Sequence, residues 1–141
     1  MSIELEKIVP TSKQIESLFN QLKSRNHSIS HETVPSFEQH AQFVRNNPYR
    51  AWFLILKEGV PVANVYVQND NSVGINNDDS LNNEELSLLL QLLFNRLKPL
   101  EPIPSLRYKN FFFNVSVSNT PLQQRLEKLG LQASQISYIV V

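Results

Sequence analysis

Few residues of this chain could carry chemistry, and their types and spacing exclude several classes of site. There is no cysteine, which excludes a cysteine nucleophile, a disulfide and a thiolate metal site. The histidines are His27, His31 and His40, and no pair of them combines helical spacing with a third ligand nearby. We therefore expect surface histidines and no bound metal.

Aromatic residues form two groups with different expected roles. Tyr49 and Trp52 could line a substrate pocket, because aromatic side chains at a cleft supply shape and a polar tip. Packing of Trp52 in the core is an equally good interpretation. The run 111–113 is three phenylalanines and could stack on nucleic-acid bases, but only Arg107 and Lys109 lie near it. A core strand is the better interpretation of that run.

The overall composition limits the partners that this chain can have. The sequence has 141 residues, with 13 basic and 13 acidic side chains and zero formal net charge. This balance argues against nucleic acid and against an anionic membrane as partners, and it leaves a homodimer open. The first ten residues lack the apolar run of a signal peptide, and Gln91 interrupts the longest apolar run. We expect one soluble, cytoplasmic domain over residues 1–141.

Hydrophobic spacing and turn residues predict ten elements that would position these residues. The predicted strands are a first one that ends at Pro10, followed by 51–56, 62–68, 73–76, 111–117 and 135–141. The predicted helices begin at the caps Thr11, Ser36, Asn82 and Asn119. The order is βααβββαβαβ, which indicates an α+β or mixed α/β fold with one mixed sheet and helices on both faces. The strands 73–76 and 111–117 flank a helix, so we expect them to lie in parallel through a right-handed crossover.

The helix that begins at Asn82 is the most strongly specified element of the chain. Asn82 and Glu85 have the spacing of a capping box, and apolar residues follow at helical spacing from Leu86 onward. Arg96 and Lys98 suit a helix C-terminus, and Pro99 follows them. The width of the apolar stripe predicts a helix that is covered on more than one side.

The order of elements and two stretches of sequence resemble the GNAT acyltransferase family. Asn119, followed by a helix and then by Glu127-Lys-Leu-Gly-Leu131, is similar to the asparagine, helix and "eklGF" pattern near the end of that family's domain. Residues 49–56, Gly59, 62–68 and 73–75 are similar to the family's central meander. The resemblance covers roughly residues 36 to 141 and rests more on layout than on an invariant motif.

The resemblance implies an acetyl-CoA-dependent transfer of an acetyl group to a small amine or amino sugar. It places the thioester between the fourth and fifth strands, where strand amides polarise it, and the pyrophosphate at the start of the following helix. Asp78 and Asp79 end the strand that would polarise the thioester, so they could supply a base or form a solvated turn. Tyr108, Ser116 or Ser118 could supply the acid, and Tyr49 and Trp52 could line the acceptor pocket. The implied acetyl-CoA contacts are Ile75, Asn76, Asn77, Asn82, Asn83 and Asn119.

The sequence departs from the family pattern at the pyrophosphate turn. Residues 81–86 contain no glycine, and Glu84 and Glu85 would repel a phosphate. The tyrosine that many relatives carry in the last helix falls on Leu126 by spacing from Asn119. Two hypotheses remain open: an acyltransferase with weakened or lost CoA binding, and a catalytically inactive GNAT-fold binding or assembly module.

Overall fold

The computed structural model describes residues 2–25 and 34–141. His27 and His31 therefore lie outside the described residues. The helices are α1 (Ser12–Ser24), α2 (Phe37–Arg45), α3 (Asn83–Arg96) and α4 (Thr120–Lys128). The strands are β1 (Ile3–Lys7), β2 (Ala51–Lys57), β3 (Val60–Val67), β4 (Ser72–Asn76) and β5 (Phe112–Phe113), and a short 3₁₀ helix (Asp78–Ser80) follows β4.

The five strands form one mixed sheet in the order β1-β2-β3-β4-β5. Strands β1 to β4 pair antiparallel, and tight turns join β2 to β3 and β3 to β4. Strand β5 returns after α3 and pairs parallel to β4, at Ser72↔Phe112 and Val73↔Phe113. The predicted parallel crossover is confirmed.

The sheet is covered on both faces, because its strands carry apolar side chains in both directions. On one face α3 and α4 pack on Phe53, Ile55 and Val65. On the other face α1 and α2 pack on Trp52 and Leu54. The prediction of a mixed α/β fold with helices on both faces is confirmed.

The predicted helix caps are present in the structure. The Thr11 and Ser36 side chains accept from the amides of the third residue of α1 and α2, and Ser36 is part of a capping box. Asn119 caps α4, with a proline in its first turn. At the end of α3 the Lys98 ammonium donates to the carbonyl of Phe94 (3.2 Å).

Two predictions about the end of the chain are wrong. Residues 135–141 form no strand, and large apolar side chains there, such as Ile139, are 88% exposed. The predicted strand 111–117 shrinks to β5, and β5 lies at the sheet edge rather than in its interior. The cause is the same for both, because a β-forming sequence becomes a strand only where a neighbouring strand satisfies its backbone groups.

Two further observations bear on the predictions. His40 is buried, with 6% of its surface exposed, so the expectation of a surface histidine is wrong for this residue. Among the residues that the structure describes, no helix has both the length and the apolar character needed to span a bilayer.

Candidate functional site

A cleft of about 720 Å³ opens where β4 and β5 separate. The two strands stay paired as far as the hydrogen bond from the Asn114 amide to the Val73 carbonyl (3.2 Å). Beyond that point the cleft is lined by β4 and the residues after it on one side, and by Asn114, Val115 and Ser116 on the other. Helices α1 and α2 close it from above the sheet. The cleft therefore lies at a topological break in the sheet, where ligands commonly bind.

Four aromatic side chains form one wall of the cleft, and we call them the aromatic wall: Phe43, Tyr49, Trp52 and Tyr66. Tyr49 stacks on Tyr66 with 4.4 Å between ring centroids and 16° between planes. Trp52 meets the edge of Tyr49 at 5.0 Å, and Phe43 meets both Tyr49 and Trp52 edge-on. These contacts hold the rings in favoured aromatic geometries.

Gly74 explains why the Tyr66 ring can lie flat on the sheet. Tyr66 on β3 is the direct partner of Gly74 on β4. A Cβ atom at position 74 would clash with Cζ of the Tyr66 ring. The absence of a side chain at this position is therefore what lets the ring cover β4 and reach Tyr49.

A chain of side-chain hydrogen bonds runs beneath the aromatic wall, and we call it the amide chain. The Trp52 indole N–H and the Asn76 amide both donate to Oδ1 of Asn64, at 3.0 and 3.1 Å. Asn64 in turn donates to Oε1 of Gln21 at 2.8 Å. The Arg25 guanidinium donates to Oδ1 of Asn76 at 3.1 Å. These bonds fix the end of β4 against α1, and buried amides of this kind keep a cleft wall in one conformation.

Burial controls the protonation of the cleft. It raises the pKa of Tyr49 to about 12, with a further contribution from Tyr66 and an opposing one from Arg25. Burial also raises the pKa of Tyr66, again opposed by Arg25. Desolvation lowers the pKa of Arg25, which the two tyrosines partly offset. Both phenols therefore stay protonated at neutral pH and present hydroxyl donors.

His40 lies in the same cleft as a neutral imidazole. Burial lowers its pKa, and a hydrogen bond with the Ile15 backbone opposes that shift. Its Nε2 atom is buried and has no hydrogen-bond partner in the part of the chain described. Because this atom is covered, it does not face the open cleft, and we assign it no catalytic role.

Two backbone amides at the start of α3 are occupied by side chains of the helix cap. The Asn82 amide donates to Oε1 of Glu85, and the Glu85 amide donates to Oδ1 of Asn82, both at 2.8 Å. The same Glu85 oxygen lies 3.2 Å from the Lys57 ammonium on β2, and the Glu85 side chain is 1% exposed. Glu85 thus points into the protein, whereas Glu84 is exposed. The expected capping box is present, and Glu84 is the exposed carboxylate of the pair.

Residues of α4 cover the turn before α3. Arg125 donates to the Asp78 carbonyl (3.2 Å), to the Leu81 carbonyl and to Oδ1 of Asn83 (2.9 Å). Asn119 donates to Oδ1 of Asp78 at 3.1 Å while its own oxygen caps α4. The turn therefore presents carbonyl oxygens and amide side chains to α4, and these bonds hold it closed.

Comparison with known proteins supplies the fold but no closer relative. No protein-family model and no curated protein matches the sequence. Among solved structures, a domain from Methanocaldococcus jannaschii superposes with a TM-score of 0.64 at 16% identity, over 96% of this chain and 92% of that one. The aminoglycoside N-acetyltransferase AAC(6')-Ib11 gives 0.60 at 16% identity, over 92% and 86%. The N-acetyltransferase PseH of Campylobacter jejuni, solved in complex with acetyl coenzyme A, gives 0.58 at 15% identity, over 96% and 92%.

This chain has the GNAT fold. Identities near 16% show the fold alone. Within that fold, the structure brings most of the predicted site residues to one cleft: Tyr49, Trp52, Ile75, Asn76, Asn77, Asp78, Ser116 and Asn119. Tyr108 does not line it, since its ring packs on Phe112 at the start of β5. Asn82 and Asn83 lie at the turn before α3 and do not line it either.

Sequence reasoning missed several residues of the GNAT-fold cleft, among them Phe43, Tyr66, Asn64 and Arg25. Tyr66 is the cross-strand partner of Trp52, so the register of the predicted hairpin contains the signal that would have found it. Asn64 is the residue two positions before it on the same face of β3. Arg25 follows the last turn of α1 and carries no local signal. Among residues 2–25 and 34–141, no group of three potential ligands is placed to hold a metal ion.

Proposed function

We propose that this chain is a GNAT-fold acyltransferase that takes a small amine or amino sugar in the cleft and binds acetyl-CoA weakly. The proposal rests on one observation: a single cleft runs from the aromatic wall to the gap between β4 and β5. In the GNAT fold that gap is where the resemblance places the thioester. An acceptor held against the aromatic wall would therefore lie in the same cavity as the acetyl group.

The meander supplies the features that suit an acceptor. The aromatic wall offers a flat apolar surface, and the phenols of Tyr49 and Tyr66 stay protonated as hydrogen-bond donors. The amide chain offers neutral polar groups beside them. Among the residues that the structure describes, those with a formal charge that line the cleft are Arg25, Asp78 and Asp79. Such a surface suits a small polar molecule with an amine better than a polycation, for which a strongly acidic cleft would be expected.

Candidate groups for the proton transfers lie at the other end of the cleft. Asp78 lines the cleft as the proposed base, although its Oδ1 atom already accepts from Asn119. Ser116 lines it as the proposed acid and lies 2.9 Å from the hydroxyl of Ser118. Tyr108 is the weaker candidate for the acid, because its ring lies outside the cleft. These roles remain proposals of residue type and position.

The two ends of acetyl-CoA do not fit this chain equally well. The gap between β4 and β5 suits the thioester end of the molecule. The pyrophosphate end fits poorly, because the Asn82 and Glu85 amides already have partners and Glu84 is exposed at the same helix start. We therefore expect a dissociation constant for acetyl-CoA above roughly 1 mM, or less than about 4 kcal/mol of binding.

Two measurements on the unmodified protein test the proposal. The first is calorimetric titration with acetyl-CoA, where micromolar binding would contradict the weak-donor part. The second is release of free CoA thiol in the presence of a panel of small amines and amino sugars, at millimolar acetyl-CoA. We expect slow release that depends on the amine. No release with any amine would reject the acyltransferase.

A second candidate function is a catalytically inactive binding or assembly module. The specific observation in its favour is the turn before α3, where the capping box occupies the Asn82 and Glu85 amides that could otherwise donate to a pyrophosphate. Such a protein would bind a small ligand at the aromatic wall and release no CoA. Saturable ligand binding without thiol release would therefore support the module over the enzyme.

A further inference from the structure

Three hydrogen-bond donors lie near one another where the aromatic wall reaches the end of β4. They are the hydroxyls of Tyr49 and Tyr66 and the guanidinium of Arg25, and we call them the donor corner. The Arg25 guanidinium lies close enough to both phenols to lower their pKa. Its Nη1 atom donates to Oδ1 of Asn76 at 3.1 Å, which holds it at the strand end. Because a guanidinium stays protonated in proteins, the donor corner carries a positive charge.

The two phenols of the donor corner are held in place by the sheet and by each other. The Tyr66 hydroxyl lies over Gly74, because a side chain at position 74 would meet its oxygen as well as its ring. Gly74 and Asn76 lie on the same face of β4, about 7 Å apart along the strand. The Tyr49 ring stacks on Tyr66 at 4.4 Å, so both hydroxyls lie on the side of the cleft that holds Arg25. Protonated hydroxyls beside a cation suit an anionic ligand.

Negative charge lies farther along the same wall of the cleft. Asp78 and Asp79 line the cleft just after β4, past Asn77, whose left-handed backbone (φ 60°) turns the chain. The Asp78 carboxylate is fixed there by the amide of Asn119, which donates to its Oδ1 atom at 3.1 Å. The cleft is therefore positive at the aromatic wall and negative beyond the end of β4. A molecule with a negative group at one end and an amine at the other complements these charges.

We propose that the acceptor is an amino carboxylic acid, whose carboxylate binds the donor corner while its amine faces Asp78. This inference rests on the proposed function, because it names the acceptor class of the same cleft. A carboxylate brings one negative charge to one guanidinium, and its two oxygens accept from the guanidinium and the phenols together. A phosphate monoester would bring up to two negative charges into a cleft that already holds two aspartates. Because the donor corner and Asp78 lie apart along β4, we expect several carbon atoms between the amine and the carboxylate.

Binding of matched small amines tests the proposal without acetyl-CoA. The probes have similar length and differ at one end: δ-aminovalerate has a carboxylate, δ-aminovaleramide is neutral there, and cadaverine has a second amine. Ligand-observed NMR measures their dissociation constants. We expect the acid to bind about 5- to 20-fold more tightly than the amide, because charge-assisted hydrogen bonds are stronger than neutral ones. Equal affinity for acid and amide, or tighter binding of cadaverine than of the acid, would overturn the proposal.

Substitutions in the donor corner then locate the carboxylate. Arg25→Gln should lower the ratio of acid to amide affinity to less than about 3-fold, and Arg25→Lys, which keeps a cation, should give an intermediate ratio. Arg45→Gln makes the same change at an exposed residue of α2 outside the cleft and should keep the wild-type ratio. Tyr49→Phe with Tyr66→Phe keeps both rings and should also lower the ratio, which tests the corner even if Arg25→Gln does not fold. If Arg25 were only structural, its loss would weaken acid and amide equally and leave the ratio unchanged.

Release of CoA thiol separates this inference from the proposed acyltransferase. At millimolar acetyl-CoA, δ-aminovalerate should release thiol faster than the same concentration of δ-aminovaleramide. Preferential binding of the acid without any release would reject the acyltransferase and support the carboxylate site. Release with neutral amines, without preference for the acid in binding or rate, would support the acyltransferase and overturn the carboxylate site.

Discussion

The two sides of the cleft differ in the strand pairing and the side-chain contacts that hold them. The meander side, which comprises the aromatic wall and the amide chain, rests on three antiparallel strands that pair over most of their length. The β5 side, which comprises residues 114–116 and the turn 77–83, rests on a strand that pairs with β4 at two positions. The first is held by side-chain contacts within the sheet. The second is held by Arg125 and Asn119 reaching across from α4.

Under the proposed function, this difference separates the side that would hold an acceptor from the side that would hold a donor. A rigid meander side keeps a fixed shape, which favours selective binding of one class of small molecule. The β5 side has the Asn82 and Glu85 amides occupied and an exposed Glu84 carboxylate, which disfavours a pyrophosphate. The comparison therefore predicts that changes on the meander side alter shape and stability, whereas changes on the β5 side alter donor affinity.

The largest effect should come from filling the space at Gly74. In Gly74→Ala the new methyl group would meet the Tyr66 ring, so either the ring or β4 must move. We expect a loss of about 1–3 kcal/mol in the free energy of unfolding, typical of overpacking. Chemical denaturation measures it. In a Tyr66→Ala background the same substitution should cost much less, and an equal cost in both backgrounds would show that the ring is not the cause.

On the β5 side, substitutions that open the turn before α3 but keep Glu85 should raise the affinity for acetyl-CoA. Asn83→Gly with Glu84→Lys removes an exposed carboxylate, adds a cation at a helix N-terminus and frees Arg125 Nε from Asn83. Because of the charge changes, we expect acetyl-CoA to bind about 3- to 30-fold more tightly. Titration calorimetry, with ligand-observed NMR for the weaker wild type, measures the ratio. Glu16→Lys is the matched control, since it makes the same charge change on α1, away from the turn.

The helix cap on the β5 side should have a smaller effect on stability. Asn82→Ala removes the oxygen that accepts from the Glu85 amide. We expect a loss of about 0.5–2 kcal/mol, because the cap satisfies one of the unpaired amides at the start of α3. Urea melts of the two proteins at equal slope measure the difference. An unchanged midpoint would mean that water replaces the cap at no cost.

The sequence predicted the features that depend on near neighbours. The caps at Thr11, Ser36 and Asn82 each join residues three apart, so local sequence determines them. The parallel placement of β4 and β5 also followed from element order. The strand at 135–141 failed because pairing requires a distant backbone that propensity does not describe.

The site was harder to predict than the fold for the same reason. Tyr66 enters the aromatic wall through its register with Trp52 and Gly74, which a single-strand pattern does not contain. Arg125 reaches a turn more than 40 residues earlier in the sequence. The inward direction of Glu85 depends on Lys57, which lies on β2. Each of these contacts is made by packing of elements that are remote in sequence.

The smallest predicted effect is the pH dependence of stability that Glu85 contributes. The hydrogen bond from the Asn82 amide holds the pKa of Glu85 below its ordinary value, with Lys57 adding to the shift and burial opposing it. A carboxyl group with a lowered pKa stabilises the folded state above its unfolded pKa. That contribution is lost as the pH falls through the folded pKa. Glu85→Gln keeps an oxygen for the cap but cannot ionise.

The stability difference between wild type and Glu85→Gln should therefore be constant above pH 4.5 and shrink as the pH falls below it. Denaturant melts of both proteins at a series of pH values give this difference directly. Glu84→Gln is the matched control, because the neighbouring carboxylate is exposed and has no ion pair among the described residues. A difference between wild type and Glu85→Gln that does not change with pH would show that the buried side chain stabilises α3 by shape and hydrogen bonding, without its charge.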